Sequence, residues 1–274
     1  MAWLNVLARA NDRIQVYVAP SCENSRGRIE LSSGTRLTGV NETPDRADGA
    51  IYEDGARLPR EPWRRATTEE TLSLIAAEPP RNMATTVAII KLPRELWGDL
   101  PIIRASGDAD ALTNLQHAFR ETCELGHPVY CIGPSENPAN LKTVTFNPDT
   151  RRYNGLHVDN WDQVDLSSRH LATNRLCVNI GRDIRYFLFL PVSLTDIARM
   201  LSEEMGPDWE APARLTVIGR QFMEQFPEVP VVRCRVSPGE AYIAPTENLV
   251  HDGSSVGQST VDRQFTIRGH IRPL

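Results

Sequence analysis

The sequence predicts a mainly β protein with flanking helices, built as a β-barrel or a double sheet. Short apolar or alternating segments bounded by Gly, Pro, Asn and Asp recur along the chain, which is typical of strands. Only a few segments have helical periodicity, so the helices are expected to cover the outside of the sheets.

The strands are predicted from these segments in chain order. Residues 13–18 and 28–31 alternate like half-buried strands, and residues 41–62 read as a long loop. Further strands are predicted at 86–92, 129–132, 141–146, 171–180, 184–190, 231–236, 241–244 and 265–271. The turn Gly181-Arg182-Asp183 between two of them predicts a hairpin.

Helices are predicted where capping and periodicity agree. A helix over 67–75 begins with a Thr cap and an acidic first turn. Another over 108–125 places Leu112, Leu115, Phe119 and Cys123 on one face and ends at Gly126. Residues 194–205 and 213–226 complete the predicted helices. No repeat or linker divides the chain, so we expect one domain over 1–274, with 1–84 an N-terminal extension packing on a core of about 85–274.

Composition excludes several classes of function. The net charge of −5 argues against nucleic acid as a partner. The five cysteines are scattered and lack Cys-x-x-Cys spacing, which favours reduced thiols in the cytoplasm over a zinc ribbon or a disulfide scaffold. No apolar stretch approaches the roughly 20 residues of a membrane helix. We therefore expect a cytoplasmic protein that binds a small molecule and is not bound to a membrane. Whether it forms a homodimer is left open.

The segment His157-Val158-Asp159 is the most informative stretch. On a strand, residues i and i+2 point to the same face, so His157 and Asp159 would aim at one point. A third ligand, His251, follows far downstream. Two histidines and a carboxylate on one side of a metal form the facial triad of non-heme Fe(II) oxygenases. By chance alone, His-x-Asp occurs in about one chain in three of this composition, so its context matters.

That context is a turn, a strand and a loop over 238–251 that ends in His251, a flexible segment over 252–255, and a strand-like run over 263–271. With these features the chain resembles the Fe(II)/2-oxoglutarate-dependent dioxygenase superfamily over roughly residues 85–274. The resemblance implies a double-stranded β-helix core (jelly-roll, cupin-like) and His157, Asp159 and His251 as Fe(II) ligands. It also implies 2-oxoglutarate and O2 as cosubstrates, converted to succinate and CO2 while a C–H bond is hydroxylated or otherwise oxidised.

The resemblance further implies a basic residue that binds the far carboxylate of 2-oxoglutarate. Arg263 and Arg268 are the candidates, twelve and seventeen residues after His251. Because they are five residues apart, only one should face inward on a regular strand. Asn179 is a candidate to assist.

The substrate is expected to be an amino acid or a natural-product intermediate, with Trp161, Tyr242 and Arg175 as candidate contacts. The loop 41–62 or the segment 162–169 is a candidate lid. Desaturation and cyclisation remain open beside hydroxylation. Two alternatives also remain: a cupin-like metalloenzyme that does not use 2-oxoglutarate, and a non-catalytic jelly-roll binding module in which both histidines are ordinary core residues.

Overall fold

The computed structural model describes residues 2–22, 27–44, 49–99 and 119–274. The described strands are β1 (Gln15–Val18), β2 (Ile29–Leu31), β3 (Thr35–Leu37), β4 (Arg57–Pro59), β5 (Arg64–Arg65), β6 (Ile75–Ala76), β7 (Thr86–Lys91), β8 (Cys123–Asn137), β9 (Phe146–Asn147), β10 (Arg152–Tyr153), β11 (Asn174–Asn179), β12 (Arg185–Ser193), β13 (Val232–Val236), β14 (Glu240–Ala244), β15 (Leu249–Ser254) and β16 (Asp262–Pro273).

These strands form two large sheets. The larger sheet has the order β6-β1-β7-β14-β11-β16-β8, and the smaller has the order β15-β12-β13-β2-β5. All neighbours are antiparallel except β1, which runs parallel to both β6 and β7. Strands β3 with β4 and β9 with β10 make two further short ladders. Strands from the first 84 residues therefore extend both large sheets.

The two large sheets face each other across an apolar interior. Phe187 of β12 stacks on Tyr242 of β14 with ring centroids 4.1 Å apart, so side chains of opposite sheets are in direct contact. Along β12, Arg185, Phe187 and Phe189 share the inward face because strand side chains alternate. The fold is thus mainly β with helices, as the sequence predicts.

The described helices are α1 (Ala2–Ala8), α2 (Thr68–Leu74), α3 (Arg94–Asp99), α4 (Leu194–Met205) and α5 (Leu215–Gln225). Helix α4 has the predicted bounds, starts at a Ser193 cap that accepts from the Asp196 N–H, and ends at Gly206 with a φ of +92°. Helix α2 starts with a capping box between Thr67 and Glu70. None of the described helices has the length and apolar character needed to cross a membrane.

Three local predictions are wrong or lie outside the described residues. The turn 181–183 is no hairpin, because β11 belongs to the larger sheet and β12 to the smaller. Residues 141–145 form no strand, although Leu141 and Val144 are buried in a cluster with Tyr52 and Tyr153. Most of the helix predicted over 108–125 lies outside the described residues, and its end, from Cys123, is part of β8.

Candidate metal centre

The three predicted ligands come together in the interior. One ligand atom each from His157, Asp159 and His251 lies within 4.8 Å of the others, and all three residues are buried. His251 is on β15. Its N–H donates to the His157 carbonyl at 2.8 Å, and the His157 N–H donates back at 3.0 Å. This reciprocal pair sets the two histidines directly opposite each other, and their rings lie 4.8 Å apart between centroids.

Backbone carbonyls orient both imidazoles. The Nδ1 of His157 lies 2.9 Å from the Gly155 carbonyl, and the Nδ1 of His251 lies 3.0 Å from the Leu249 carbonyl. An imidazole that donates from Nδ1 offers its Nε2 lone pair to a metal. Both Nε2 atoms face Asp159: that of His157 lies 3.7 Å from Oδ1, and that of His251 lies 3.8 Å from Oδ2.

Gly155 gives the chain room to reach this position. Its φ is +65°, and a Cβ there would lie 2.8 Å from the Arg57 carbonyl. Only glycine adopts this backbone conformation without steric cost at so close an approach. The turn Asn154-Gly155 read in the sequence therefore sets the position of the first histidine.

An unpaired acceptor marks this cluster as a ligand set. His251 Nε2 is buried without a hydrogen-bond partner, and Asp159 Oδ2 meets only the Arg175 guanidinium, 2.9 Å away. Burying a polar atom without a partner costs free energy, roughly 1–3 kcal/mol, unless something else pairs with it. A metal ion shared by His251, Asp159 and His157 would satisfy the unpaired nitrogen. The donor set, two imidazoles and one carboxylate, suits iron and similar transition metals.

The electrostatics of the cluster bind one proton to His157. Burial by itself lowers the pKa of His157, but Asp159 and Asp252 outweigh it and raise that pKa to about 10. Burial lowers the pKa of His251 to about 4. For Asp159, burial is outweighed by the Arg175 guanidinium and the histidines, so its pKa lies well below the usual range. Since a metal needs a neutral imidazole, its binding would release the His157 proton.

Two charged residues flank the ligands. Arg175 of β11, one of the predicted substrate contacts, lies with its Nη2 2.9 Å from Asp159 Oδ2. Asp252 lies with its Oδ2 3.6 Å from His157 Nδ1, while its Oδ1 accepts from Val144, Thr145 and the Gly253 N–H. Apart from its place next to His251, no sequence pattern marks Asp252 as part of the site.

The interior beyond the ligands holds a second arginine that the sequence analysis missed. Arg185 is 1% exposed, and its Nε lies 3.2 Å from Asp262 Oδ1. Its Nη1 donates to the Cys177 Sγ across the interior at 2.8 Å. Burial is outweighed by Asp262, so the pKa of Arg185 is raised and the side chain stays charged.

Glycine also makes space for this arginine. A Cβ at Gly253, two residues after His251, would lie 2.8 Å from Val144 Cγ2 and 3.1 Å from Arg185 Nη2. Tyr242 is buried nearby, stacked on Phe187. The Phe187 ring is 5.7 Å from that of His251, so a continuous layer of side chains connects the metal ligands to this region.

The two arginines proposed from spacing lie elsewhere. Arg263 has an exposed side chain, and its Nε pairs with Glu136 at 2.8 Å on the surface. Arg268 is buried, in agreement with the prediction that only one of the two faces inward. Its Nη2 is bound by Asp162 at 3.1 Å, Thr173 at 2.8 Å and Glu247 at 2.9 Å. Neither arginine therefore contacts the triad.

Asn179 stabilises the turn formed by residues 181–183. Its amide donates to the carbonyls of Asp183 and Val236, and its side-chain oxygen accepts from the Gly181 N–H. These bonds hold the 181–183 turn where the chain passes from one sheet to the other. The amide therefore has no free group to offer a cofactor.

Trp161 lies at the surface beside the triad. Its side chain is 59% exposed and lies over the Arg268 guanidinium at 5.4 Å from the ring centroid. Its backbone N–H donates to Glu247 Oε1 at 2.8 Å. With Asp162 and Arg268 it lines a cavity of about 660 Å³.

No protein-family model matches the sequence, and no curated protein matches it. Among solved structures, the chain is similar to the Kdo hydroxylase KdoO, described as a non-heme Fe(II) alphaketoglutarate dependent dioxygenase. Its complex with succinate and Fe(III) aligns with a TM-score of 0.39 at 12% identity, over 69% of this chain and 80% of that chain. Its cobalt(II) complex gives 0.39 at 14% identity, over 69% and 81%. Likeness of this degree says nothing about the ligands of the present chain, which follow only from its own residues.

Proposed function

We propose that this protein is an Fe(II)/2-oxoglutarate-dependent oxygenase that hydroxylates an unactivated C–H bond of a small molecule, such as an amino acid or a natural-product intermediate. The observation that carries the proposal is the convergence of one ligand atom each from His157, Asp159 and His251 within 4.8 Å, with the buried His251 Nε2 left without a hydrogen-bond partner. Three protein ligands leave about three positions of an octahedral ion for the cosubstrate and oxygen.

Bound Fe(II) would supply the oxygen chemistry, in which O2, 2-oxoglutarate and a C–H bond give succinate, CO2 and a C–OH group. The residues of the chain position the reactants and exclude water. Arg175 holds the Asp159 carboxylate in place, and Asp252 with the Gly155 carbonyl fixes the plane of the His157 ring. The apolar interior around Phe187 keeps bulk water from the site.

The order of the strands supports a double-stranded β-helix. Eight segments from β8 onward pair as a nested set: β8 with β16, the His157 segment with β15, β11 with β14, and β12 with β13. In chain order, the first segment thus pairs with the eighth, the second with the seventh, the third with the sixth and the fourth with the fifth. This nested pairing results when one long antiparallel hairpin is rolled up. This arrangement brings the distant His157 and His251 side by side.

We further propose Arg185 as the residue that binds the far carboxylate of 2-oxoglutarate, in place of Arg263 and Arg268. Arginine pairs bidentately with carboxylates and keeps its charge when buried. Arg185 is on the inward face of β12, the face on which Phe189 lies opposite His251. Its Nε lies 3.2 Å from Asp262 Oδ1, and its Nη1 donates only to the Cys177 thiol.

The charge balance agrees with this assignment. Arg175 and Arg185 are each opposed by one carboxylate, Asp159 and Asp262. With Asp252 beside His157 counted as well, these residues sum to one negative charge, so bound Fe(II) leaves one positive charge for the anionic 2-oxoglutarate to offset. Because Asp262 also accepts from Asn137, it is held at the far side of the guanidinium.

Anaerobic titration of the protein with Fe(II) and 2-oxoglutarate tests the reaction class. We expect a weak visible charge-transfer band under anaerobic conditions and, once O2 is admitted with ascorbate as reductant, slow formation of succinate without substrate, both lost in His157→Ala and Asp159→Ala. A wild-type protein that binds Fe(II) but shows no band and makes no succinate would contradict the use of 2-oxoglutarate.

A matched pair of arginine variants tests the anchor. Arg185→Met should raise the 2-oxoglutarate concentration needed for half-maximal succinate formation by about 100-fold, the effect of a lost charge-assisted bidentate contact. Arg263→Met, which removes an exposed arginine, should leave it unchanged. The opposite result would return the assignment to Arg263. Circular dichroism on both variants checks that the fold is retained.

A further inference from the structure

The cavity lined by Trp161, Asp162 and Arg268 has a concentration of exposed apolar side chains. Its apolar lining includes Tyr130, Ile132, Trp161, Val164 and Leu171. Three of these are strongly exposed: Tyr130 at 53%, Trp161 at 59% and Leu171 at 65%. Single exposed apolar residues are ordinary, but several around one concave site of this size indicate a place where an apolar ligand binds.

The indole of Trp161 is held in position despite its exposure. Its backbone N–H is fixed by the buried Glu247 carboxylate, and the Arg268 guanidinium lies over its ring. Fixed aromatic rings give contact area at little cost in conformational entropy. Trp161 therefore offers a rigid flat surface to whatever enters the cavity.

The charged side chains Arg268 and Asp162 in the wall of the cavity already have partners. Arg268 is bound by Asp162, Thr173 and Glu247, and Asp162 in turn accepts from the N–H and hydroxyl of Thr173. Among these residues no charge is left over for an ionic group of a ligand. The cavity therefore suits an uncharged molecule and disfavours a free amino acid, whose carboxylate would need an unpaired cation.

The cavity is one layer of side chains from the metal centre. Arg268, in its wall, is directly opposite Arg175 on the neighbouring strand. Directly opposed residues have Cβ atoms about 5 Å apart. Arg175 in turn contacts the ligand Asp159 at 2.9 Å.

We infer that this cavity binds the substrate of the proposed oxygenase, and that the substrate class is uncharged small molecules with a planar apolar ring, stacked on Trp161. The inference rests on the proposed function and narrows it: of the two substrate classes named above, it favours a ring-containing natural-product intermediate over a free amino acid. Tyr130 and Leu171 flank the ring of the substrate.

Proton relaxation of small probes tests this with Mn(II) as a paramagnetic stand-in for iron. The probes are indole, which is neutral and planar, indole-3-acetate, which is anionic, and tryptamine, which is cationic. In the presence of the Mn(II)-loaded protein, we expect the indole protons to relax faster and saturably, and both charged probes to bind several-fold more weakly. Trp161→Ala should weaken indole binding by about tenfold, and Leu171→Ala by a smaller factor.

Phe146→Ala, which removes an exposed aromatic residue that does not line the cavity, serves as the matched control and should change nothing. If Mn(II) binds but indole does not relax in a Trp161-dependent way, or if a charged probe binds tighter than indole, the inference is wrong while the proposed function stands. If His157→Ala binds Mn(II) as well as the wild type does, the proposed metal centre itself fails.

Discussion

Two buried clusters of charged residues lie side by side in this protein, and they differ in one respect. In the ionic cluster of Arg169, Glu247, Arg268 and Asp162, every carboxylate oxygen accepts at least one hydrogen bond. In the triad, His251 Nε2 accepts none, and Asp159 Oδ2 meets only the Arg175 guanidinium. Burial and charge are common to both clusters, so the unpaired imidazole nitrogen is what distinguishes the triad from a cluster that holds loops together.

The largest expected effect is a loss of metal affinity from a substitution that removes one ligand and keeps the fold. Asp159→Asn keeps the shape of the side chain but removes the anionic ligand. We expect Mn(II) affinity to fall more than about 100-fold, beyond the 10–100-fold typical of outer partners. The rise in thermal unfolding temperature with added Mn(II) should disappear as well.

Asp54→Asn is the control for that experiment, because Asp54 is exposed and pairs only at the surface. Its Mn(II) affinity should equal that of the wild type. Unchanged affinity in Asp159→Asn would show that the ion binds elsewhere.

Breaking the ionic cluster should lower stability but leave metal affinity nearly unchanged. Glu247→Gln leaves Arg169 and Arg268 with buried charge that only Asp162 offsets, so the free energy of unfolding should fall by about 3 kcal/mol. Metal affinity should change less than tenfold. Urea denaturation and Mn(II) titration measure the two quantities.

Glu136→Gln provides the surface counterpart, because Glu136 pairs with the exposed Arg263. It should cost less than about 1 kcal/mol. A Glu247→Gln variant that keeps its stability but loses the metal would reverse the roles assigned to the two clusters.

A smaller effect on metal affinity is expected at Asp252, which contacts the ligand His157. Asp252→Asn keeps the Oδ1 acceptor that holds residues 144 and 145, but it removes the charge beside His157. We expect metal affinity to fall about 10- to 100-fold with little loss of stability. Isothermal titration with Mn(II) measures it, and an unchanged affinity would leave Asp252 as a support for the backbone only.

The last prediction concerns the contribution of Glu70, a carboxylate outside both clusters, to stability, and this contribution depends on pH. Burial alone would raise the pKa of Glu70, but bonds from Arg64 and the Thr67 N–H outweigh it and lower it to about 2. A lowered folded pKa gives stability that is present above the unfolded value of about 4.5 and lost as the pH falls toward 2.

Glu70→Gln should therefore reduce the free energy of unfolding by about 2 kcal/mol at pH 7, the value of a charge-assisted hydrogen bond. The difference from wild type should shrink between pH 4.5 and pH 2, as measured by urea denaturation at several pH values. A difference that is constant over this range would mean that Glu70 acts through packing alone.

The sequence predicted the parts of the site that depend on local spacing. The i, i+2 spacing of His157 and Asp159 predicted that they point to one place, and they do, although only His157 forms a β-bridge and the segment is no regular strand. The opposite parity of Arg263 and Arg268 implied that only one is buried. Helix α4 was predictable because its Ser cap, its amphipathic repeat and its terminal Gly agree.

The parts that failed depend on which strands become neighbours. The turn 181–183 reads as a hairpin locally, but Asn179 ties it to Asp183 and Val236 so that the chain crosses between sheets. Arg185 follows that crossing, and its approach to Cys177 is visible only once the two sheets face each other. Spacing from His251 could not find it, because it precedes that residue in the chain.

The His157 segment joins the edge of the smaller sheet through one reciprocal pair of backbone hydrogen bonds, whereas its neighbours are held by full ladders. An ion bound by His157 and His251 would act as a cross-link across this short seam. Removing it with a chelator should therefore speed amide hydrogen exchange at residues 157 and 251 while leaving the β11–β16 ladder protected. Loading with metal would thus decide how firmly the His157 segment is held to this edge of the smaller sheet.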